Sequence, residues 1–195
     1  YVLVNYGGIY LDTDVEVLKN LDSILKYDGV CGFEDKNKLS TAIIACKPGF
    51  FLFKQWLKLY QDKTFILKDG TLNEEPNVIP FTKLCQRYGL NLNGKRQRIK
   101  GLEIFPSDVF SPKNYKTGKI NITSNTLTIH NFKESWKNES EIKMHKREIR
   151  LIKKYGENMG SKLALMVNLP AHIHNAVKKR GLKKEINHIF QKIKS

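Results

Sequence analysis

Asp12 and Asp14 stand one residue apart, directly after the apolar run Ile9, Tyr10 and Leu11, which itself follows Gly7 and Gly8. An Asp-x-Asp pair at the C-terminal end of a strand can hold a divalent cation against a diphosphate. Both oxygen donors then sit on a rigid element rather than on a loose loop. The same pair can equally be two exposed acids in a turn, and so short a motif does not choose between the two. Other candidate chemistry in the chain is weaker. His172 and His174 would point about 200° apart on a helix, a poor chelate, and with His145 and His188 they read as non-catalytic. Cys31, Cys46 and Cys85 are odd in number and irregularly spaced. Cys31 and Cys46 lie in apolar runs, so reduced core thiols and a reducing cytoplasm are the expectation.

The acids need elements that hold them in place. Residues 1–6 read as the last turn and a half of a helix, with Gly7 and Gly8 as its C-cap, since glycine takes the left-handed conformation without penalty. Ile9, Tyr10 and Leu11 then read as a short buried strand, with Tyr10 in the core. Past the acids Val15, Val17 and Leu18 are apolar, and Leu21, Ile24 and Leu25 continue at helix-like spacing. Two strand-like segments, 29–34 and 41–46, flank the polar stretch 35–38. Phe50, Phe53, Trp56, Leu57 and Tyr60 mark an amphipathic helix, and a second helix is expected over 78–88, ended by Gly89. Glycine, Lys and Arg dominate 93–101, residues 102–106 are apolar, and Ser111 and Pro112 open a loop. Residues 126–130 alternate as a strand that delivers His130 at its end. Short strands interleaved with helices predict an α/β protein.

Taken together, several stretches resemble one family. They are Asn5-Tyr-Gly-Gly-Ile-Tyr-Leu-Asp-Thr-Asp-Val-Glu16, Gly32-Phe-Glu34, Thr41-Ala-Ile-Ile-Ala45 and Lys47-Pro-Gly49, completed downstream by Thr128-Ile-His-Asn-Phe132 and Ser135-Trp136. As a set they resemble the sugar-binding region of family-32 glycosyltransferases, the group of capsular polysaccharide transferases and initiating mannosyltransferases. The resemblance covers about residues 1–136 and implies a GT-A type fold, an open mixed sheet flanked by helices. The implied activity is sugar transfer from a nucleotide-sugar with retention of configuration, assisted by Mn²⁺ or Mg²⁺, with a UDP-sugar expected before a GDP-sugar. Asp14 would ligate the metal, and Asp12 would contact ribose or sugar hydroxyls and reach the metal through water. His130 would close the metal site from the far side. Ser135 would donate to the diphosphate, and Trp136 would offer its flat face and N–H to the donor. Gly7, Gly8 and Tyr10 would border the donor site, the glycines by admitting close backbone approach. Glu34, Thr41, Lys47 and Asn77 are further candidates for the pocket. Family members also carry an upstream half with the first nucleotide-binding strands. Because residue 1 is Tyr, this chain is expected to begin inside the helix that precedes the glycine pair, without that half.

The formal net charge of +15 is unevenly spread, residues 137–195 holding 15 Lys and Arg against 5 Asp and Glu. Apolar stripes at Ile142, Ile149, Ile152 and Tyr155, and again at Leu182, Ile186, Ile189, Phe190 and Ile193, recur at helical spacing. Gly156, Gly160, Pro170 and Gly181 are expected to divide the region into short helices. Residues 137–195 thus read as a basic helical extension of a catalytic region over 1–136. Its stripes either dock on that region or lie on an anionic membrane surface. No run of about 18 apolar residues predicts a membrane-spanning helix. The reading is an enzyme of cell-surface or capsular polysaccharide synthesis with a glycan or lipid-linked acceptor, cytoplasmic or peripheral on the inner membrane face, and no nucleic-acid partner. Two rivals belong to other classes. A haloacid-dehalogenase-like phosphatase would use Asp12 as nucleophile and Asp14 as acid, and it needs a later acidic pair. A non-enzymatic basic surface-binding module would explain the tail but not residues 1–136.

Overall fold

A computed structural model of the chain describes residues 1–67, 70, 72–73, 75–134 and 137–180. They form two compact units, Tyr1–Asn114 with Lys119–Phe132, and Tyr115–Gly118 with the chain from Lys133 onward. The first unit is α/β. It contains α1 (Val2–Tyr6), β1 (Gly8–Leu11), β2 (Val15–Val17), a 3₁₀ turn (Asp22–Ile24), β3 (Gly29–Asp35), β4 (Lys38–Cys46), α2 (Phe51–Lys58), α3 (Val78–Arg87), β5 (Gln97–Ile99), β6 (Leu102–Phe105), α4 (Ser107–Phe110) and β7 (Thr128–His130). Five strands make a mixed sheet in the order β1-β4-β3-β6-β5, and β2 with β7 makes a separate two-stranded ribbon. Among the described strands only β3 and β6 run parallel, and the chain between them passes through β4, α2, α3 and β5.

The central strands β3 and β4 are buried on both faces, so they read as near-continuous apolar runs. Their alternation divides the core in two. Cys31, Phe33, Ile44 and Cys46 pack with Phe53, Phe81 and Cys85 of α2 and α3, while Val30, Ile43 and Ala45 pack with Ile24, Val109 and Phe110 on the opposite face. Phe33, Phe81 and Phe110 are fully buried, and each contributes roughly 2–3 kcal/mol of apolar burial. α3 presents Phe81, Leu84 and Cys85 at helical spacing, and Trp56 of α2 lies against Phe81 with ring centroids 4.3 Å apart. All three thiols are free and buried. Burial pushes the Cys31 thiol well above its ordinary value, Cys46 up to about 11 and Cys85 up to about 12, which leaves them poor nucleophiles and metal ligands.

Two local expectations are corrected by the structure. β1 is not a buried strand but an edge strand, paired with β4 alone, and Tyr10 is 47% exposed rather than part of the core. No α-helix follows the acids: residues 15–17 are taken up by β7, the N–H groups of Leu18 and Lys19 both donate to the Leu127 carbonyl, and the helical spacing of Leu21, Ile24 and Leu25 is realised only as the 3₁₀ turn Asp22–Ile24. The basic stretch 93–101 contains β5, which turns into β6 over Lys100 (φ 42°) and Gly101 (φ 83°). That is the two-residue hairpin geometry with both central φ positive.

The second unit is built on α5 (Glu139–Tyr155) and α6 (Glu157–Arg180). Asn138 opens α5 with a capping box, its side chain accepting from the Glu141 N–H while the Glu141 carboxylate accepts from the Asn138 N–H. Gly156 separates the two helices, but Gly160 and Pro170 lie inside a single 24-residue α6, contrary to the expectation of short pieces. A Cβ at Gly160 would fall 2.5 Å from Ile152 Cα, so this glycine lets the two helices touch backbone to backbone. Pro170 sits on the exposed face, where water can serve the carbonyl its ring leaves without a donor. Between the helices the buried Asn168 amide donates to the Met144 carbonyl and accepts from Arg147. The tail stripe from Leu182 to Ile193 lies outside the described residues, among which no helix is long and apolar enough to cross a membrane.

Candidate active site

β1 carries the chain along β4 until the Asp12 N–H donates to the Ala42 carbonyl at 2.8 Å. There the chain leaves the five-stranded sheet. A tight turn closed by the Val15 N–H on the Asp12 carbonyl leads into β2, so Asp12 stands at the end of one sheet and Asp14 at the start of the ribbon. β7 then brings His130 opposite Val15, and the Asn131 N–H donates to the Asp14 carbonyl. β7 itself is held from the other side. Thr128, fully buried, donates to the Phe110 carbonyl at 2.9 Å, and the Lys113 ammonium donates to the Asn131 carbonyl at 2.6 Å.

The result is a convergence of three side chains. His130 Nε2 lies 3.4 Å from Asp14 Oδ1 and 4.0 Å from Asp12 Oδ2, and one donor atom from each residue lies within 4.8 Å of the others. Neighbouring ligands of an octahedral ion held at roughly 2.1 Å are about 3 Å apart and opposite ones about 4.2 Å apart. The spacing therefore fits one small divalent ion. The donor set, two carboxylate oxygens and an imidazole nitrogen, suits Mn²⁺ better than Ca²⁺, which gathers oxygen alone. The His130 ring packs on Phe132 with centroids 4.0 Å apart, and its Nδ1 is buried with no hydrogen-bond partner among the described residues. Nε2 is the nitrogen turned to the acids. Phe132 (φ 53°) and Glu134 (φ 52°) hold left-handed backbone just after this histidine, a conformation that non-glycine residues adopt at a cost of about 1–3 kcal/mol.

The other candidates fall at several places. The Tyr10 hydroxyl donates to Asp12 Oδ1 at 2.6 Å. That bond, with burial and the two carboxylate charges behind it, pushes the hydroxyl up to about 12, so it remains a donor. Gly7 and Gly8 lie at the other end of β1 from the acids. Thr41 donates to Asn77 at 2.9 Å, and the two line a mostly apolar cavity of about 470 Å³ together with Tyr10, Trp56 and Tyr60. Glu34 instead pairs with Lys38, and Lys47 with Asp28. His145 stacks on Tyr115, and His172 and His174 are exposed on α6. His188, Ser135 and Trp136 lie outside the described residues. Sequence reasoning missed the contact of Tyr10 with Asp12. Its signal was present, since residues two apart on a strand share a face.

Residues 1–30 match the family model described as a glycosyltransferase sugar-binding region containing the DXD motif, and Asp12-Thr13-Asp14 is that motif. Among curated proteins the chain is similar to an uncharacterised protein of Arabidopsis thaliana, 33% identical over 57% of this chain and 17% of the relative. It is also similar to glucan organizing enzyme 1 of Cryptococcus neoformans, 32% identical over 42% of this chain and 24% of the relative. The chain thus spans less than a quarter of the length of either relative. No solved structure matches it. The α/β unit with its mixed sheet is compatible with a GT-A type fold, and the matched segment is similar to a glycosyltransferase sugar-binding region.

Proposed function

We propose that this chain is the donor-binding part of a metal-dependent, retaining glycosyltransferase of the family-32 type. It would move a hexose from a nucleotide-sugar, UDP-linked before GDP-linked, to a glycan or lipid-linked acceptor in cell-surface or capsular polysaccharide synthesis. The observation that carries this reading is the convergence of Asp12, Asp14 and His130 from two separate sheets. Asp14 and His130 would ligate Mn²⁺ or Mg²⁺, and Asp12 would stand between the ion and the donor's hydroxyl groups. The chemistry such an ion supplies when bound is neutralisation of the charge that develops on a departing nucleoside diphosphate. The chain's own part is to fix the donor atoms on strand ends, so that little reorganisation accompanies reaction. The third group beside the acids is an imidazole on β7, whereas the phosphatase reading needs a second acidic pair. The fungal relative's name concerns glucan, which favours a glycan as acceptor. A basic second unit with exposed apolar residues on α6 supports peripheral contact with an anionic membrane, and buried free thiols suit a reducing compartment.

The test is calorimetric titration of UDP- and GDP-sugars with and without Mn²⁺, followed by turnover of Asp14→Ala and His130→Ala. Binding is expected to require the metal. Each variant is expected to lose more than the roughly 10- to 100-fold that removing an outer-shell partner costs. Metal-independent binding, or unchanged turnover in Asp14→Ala, would remove the assignment.

A further inference from the structure

The Tyr10 side chain belongs both to the cavity beside β1 and to the acidic pair. Its ring forms part of the cavity wall with Trp56, Tyr60, Thr41 and Asn77, and its hydroxyl donates to Asp12 Oδ1 at 2.6 Å. The Asp12 backbone is already tied to β4 through the Ala42 carbonyl. An aspartate side chain on a fixed backbone still rotates about Cα–Cβ and about Cβ–Cγ, and together these decide where its two oxygens point. A charge-assisted O–H···O⁻ bond of this length is about twice as strong as a neutral one, and it restricts both rotations. The two oxygens are then divided. Oδ1 is held by Tyr10, and Oδ2 is the oxygen 4.0 Å from His130 Nε2.

We infer that Tyr10 is a positioning residue for the metal site. By holding Oδ1 it presents Asp12 to the cluster through Oδ2 alone, as a one-oxygen group of fixed orientation. This rests on the metal-dependent reading above and goes beyond it, because it assigns the hydroxyl to the carboxylate rather than to the donor. The edge position of β1 makes the arrangement possible. A tyrosine on a strand buried on both faces could not carry its ring beside an open cavity and its hydroxyl to the strand's end. The sequence spacing is the minimal one, since Tyr10 and Asp12 share a face and lie about 7 Å apart along the strand.

Tyr10→Phe tests the inference, because it keeps the ring and removes only the hydroxyl. Mn²⁺ affinity without nucleotide is read by electron paramagnetic resonance, UDP affinity at saturating Mn²⁺ by calorimetry, and the melting temperature without ligand by circular dichroism. Tyr10 is 47% exposed, so the melting temperature is expected to stay where it is. Mn²⁺ affinity is expected to fall about 10- to 100-fold, the range for loss of an outer-shell partner, while UDP affinity at saturating Mn²⁺ is unchanged. Wild-type Mn²⁺ affinity in Tyr10→Phe would overturn the inference and leave the glycosyltransferase reading standing. An equal loss of UDP affinity at saturating Mn²⁺ would also overturn it, by assigning the hydroxyl to the ligand. Failure of the wild-type protein to bind Mn²⁺ would remove both.

Discussion

Gly7 and Gly8 are adjacent glycines with different reasons for being glycine. Gly7 has φ 69°, and a Cβ there would lie 2.7 Å from Pro48 Cδ and 2.8 Å from the Cys46 carbonyl oxygen. Gly8 has φ 101° and open space around it. Gly7→Ala should therefore meet both backbone strain and a collision with fixed chain, and lose roughly 2–5 kcal/mol. Gly8→Ala should lose only the strain, about 1–3 kcal/mol. Urea denaturation of the two variants measures the difference, and equal losses would show that the approach to Pro48 is inconsequential. The same close approach anchors the turn from α1 into β1, since the Gly49 N–H donates to the Val4 carbonyl at 2.7 Å. The strand that ends in the acids is thus aligned from its first residue.

Among the elements, α6 shows how a residue that ordinarily interrupts a helix can be required by one. Alanine is the better helix former by about 1 kcal/mol, so an isolated helix would gain from Gly160→Ala. Here the added Cβ would sit 2.5 Å from Ile152 Cα and 2.6 Å from its backbone nitrogen. Backbone inside α5 cannot swing aside as a side chain tip can. The helices would have to part, uncovering Ile152 and Ala164 and straining the Asn168 bonds to Met144 and Arg147. Gly160→Ala is therefore expected to destabilise this unit by about 1–3 kcal/mol, read as a lower helical melting temperature by circular dichroism. A rise in melting temperature would show that propensity outweighs packing.

For the whole molecule the main asymmetry is charge. Residues 137–195 carry 15 basic against 5 acidic side chains, and α6 exposes Met159, Leu165, Met166, Leu169 and Ile173. Apolar burial adds to roughly 1 kcal/mol for each Lys or Arg near an anionic surface. Co-sedimentation with vesicles is expected to be strong for anionic lipid, weak for neutral lipid, and reduced by salt as the Debye length shortens. Met166→Glu, at a position 71% exposed, is expected to weaken it without changing helix content. Equal binding to both vesicle types, insensitive to salt, would remove the membrane reading.

Much of this molecule can be read from local pattern. The strand-like runs 29–34 and 41–46 lie within β3 and β4, which take in Asp35 and Lys38 of the polar stretch between them as well, and α2 and α3 follow their helical spacing. Local periodicity succeeds there because it reports which side chains point the same way. It says nothing about what they meet. Ile9, Tyr10 and Leu11 look alike whether the strand has one neighbour or two, and only the pairing with β4 alone makes Tyr10 accessible to both cavity and acid. Leu21, Ile24 and Leu25 are spaced as a helix, yet residues just before them are captured by β7 from far downstream. Gly160 reads as a breaker until a second backbone is found against it. The identities of Asp12, Asp14 and His130 are visible in the chain, but the approach of His130 to within 3.4 Å of Asp14 and 4.0 Å of Asp12 is not. It depends on the pairing of Val15 with His130, a contact between distant segments that no local window contains.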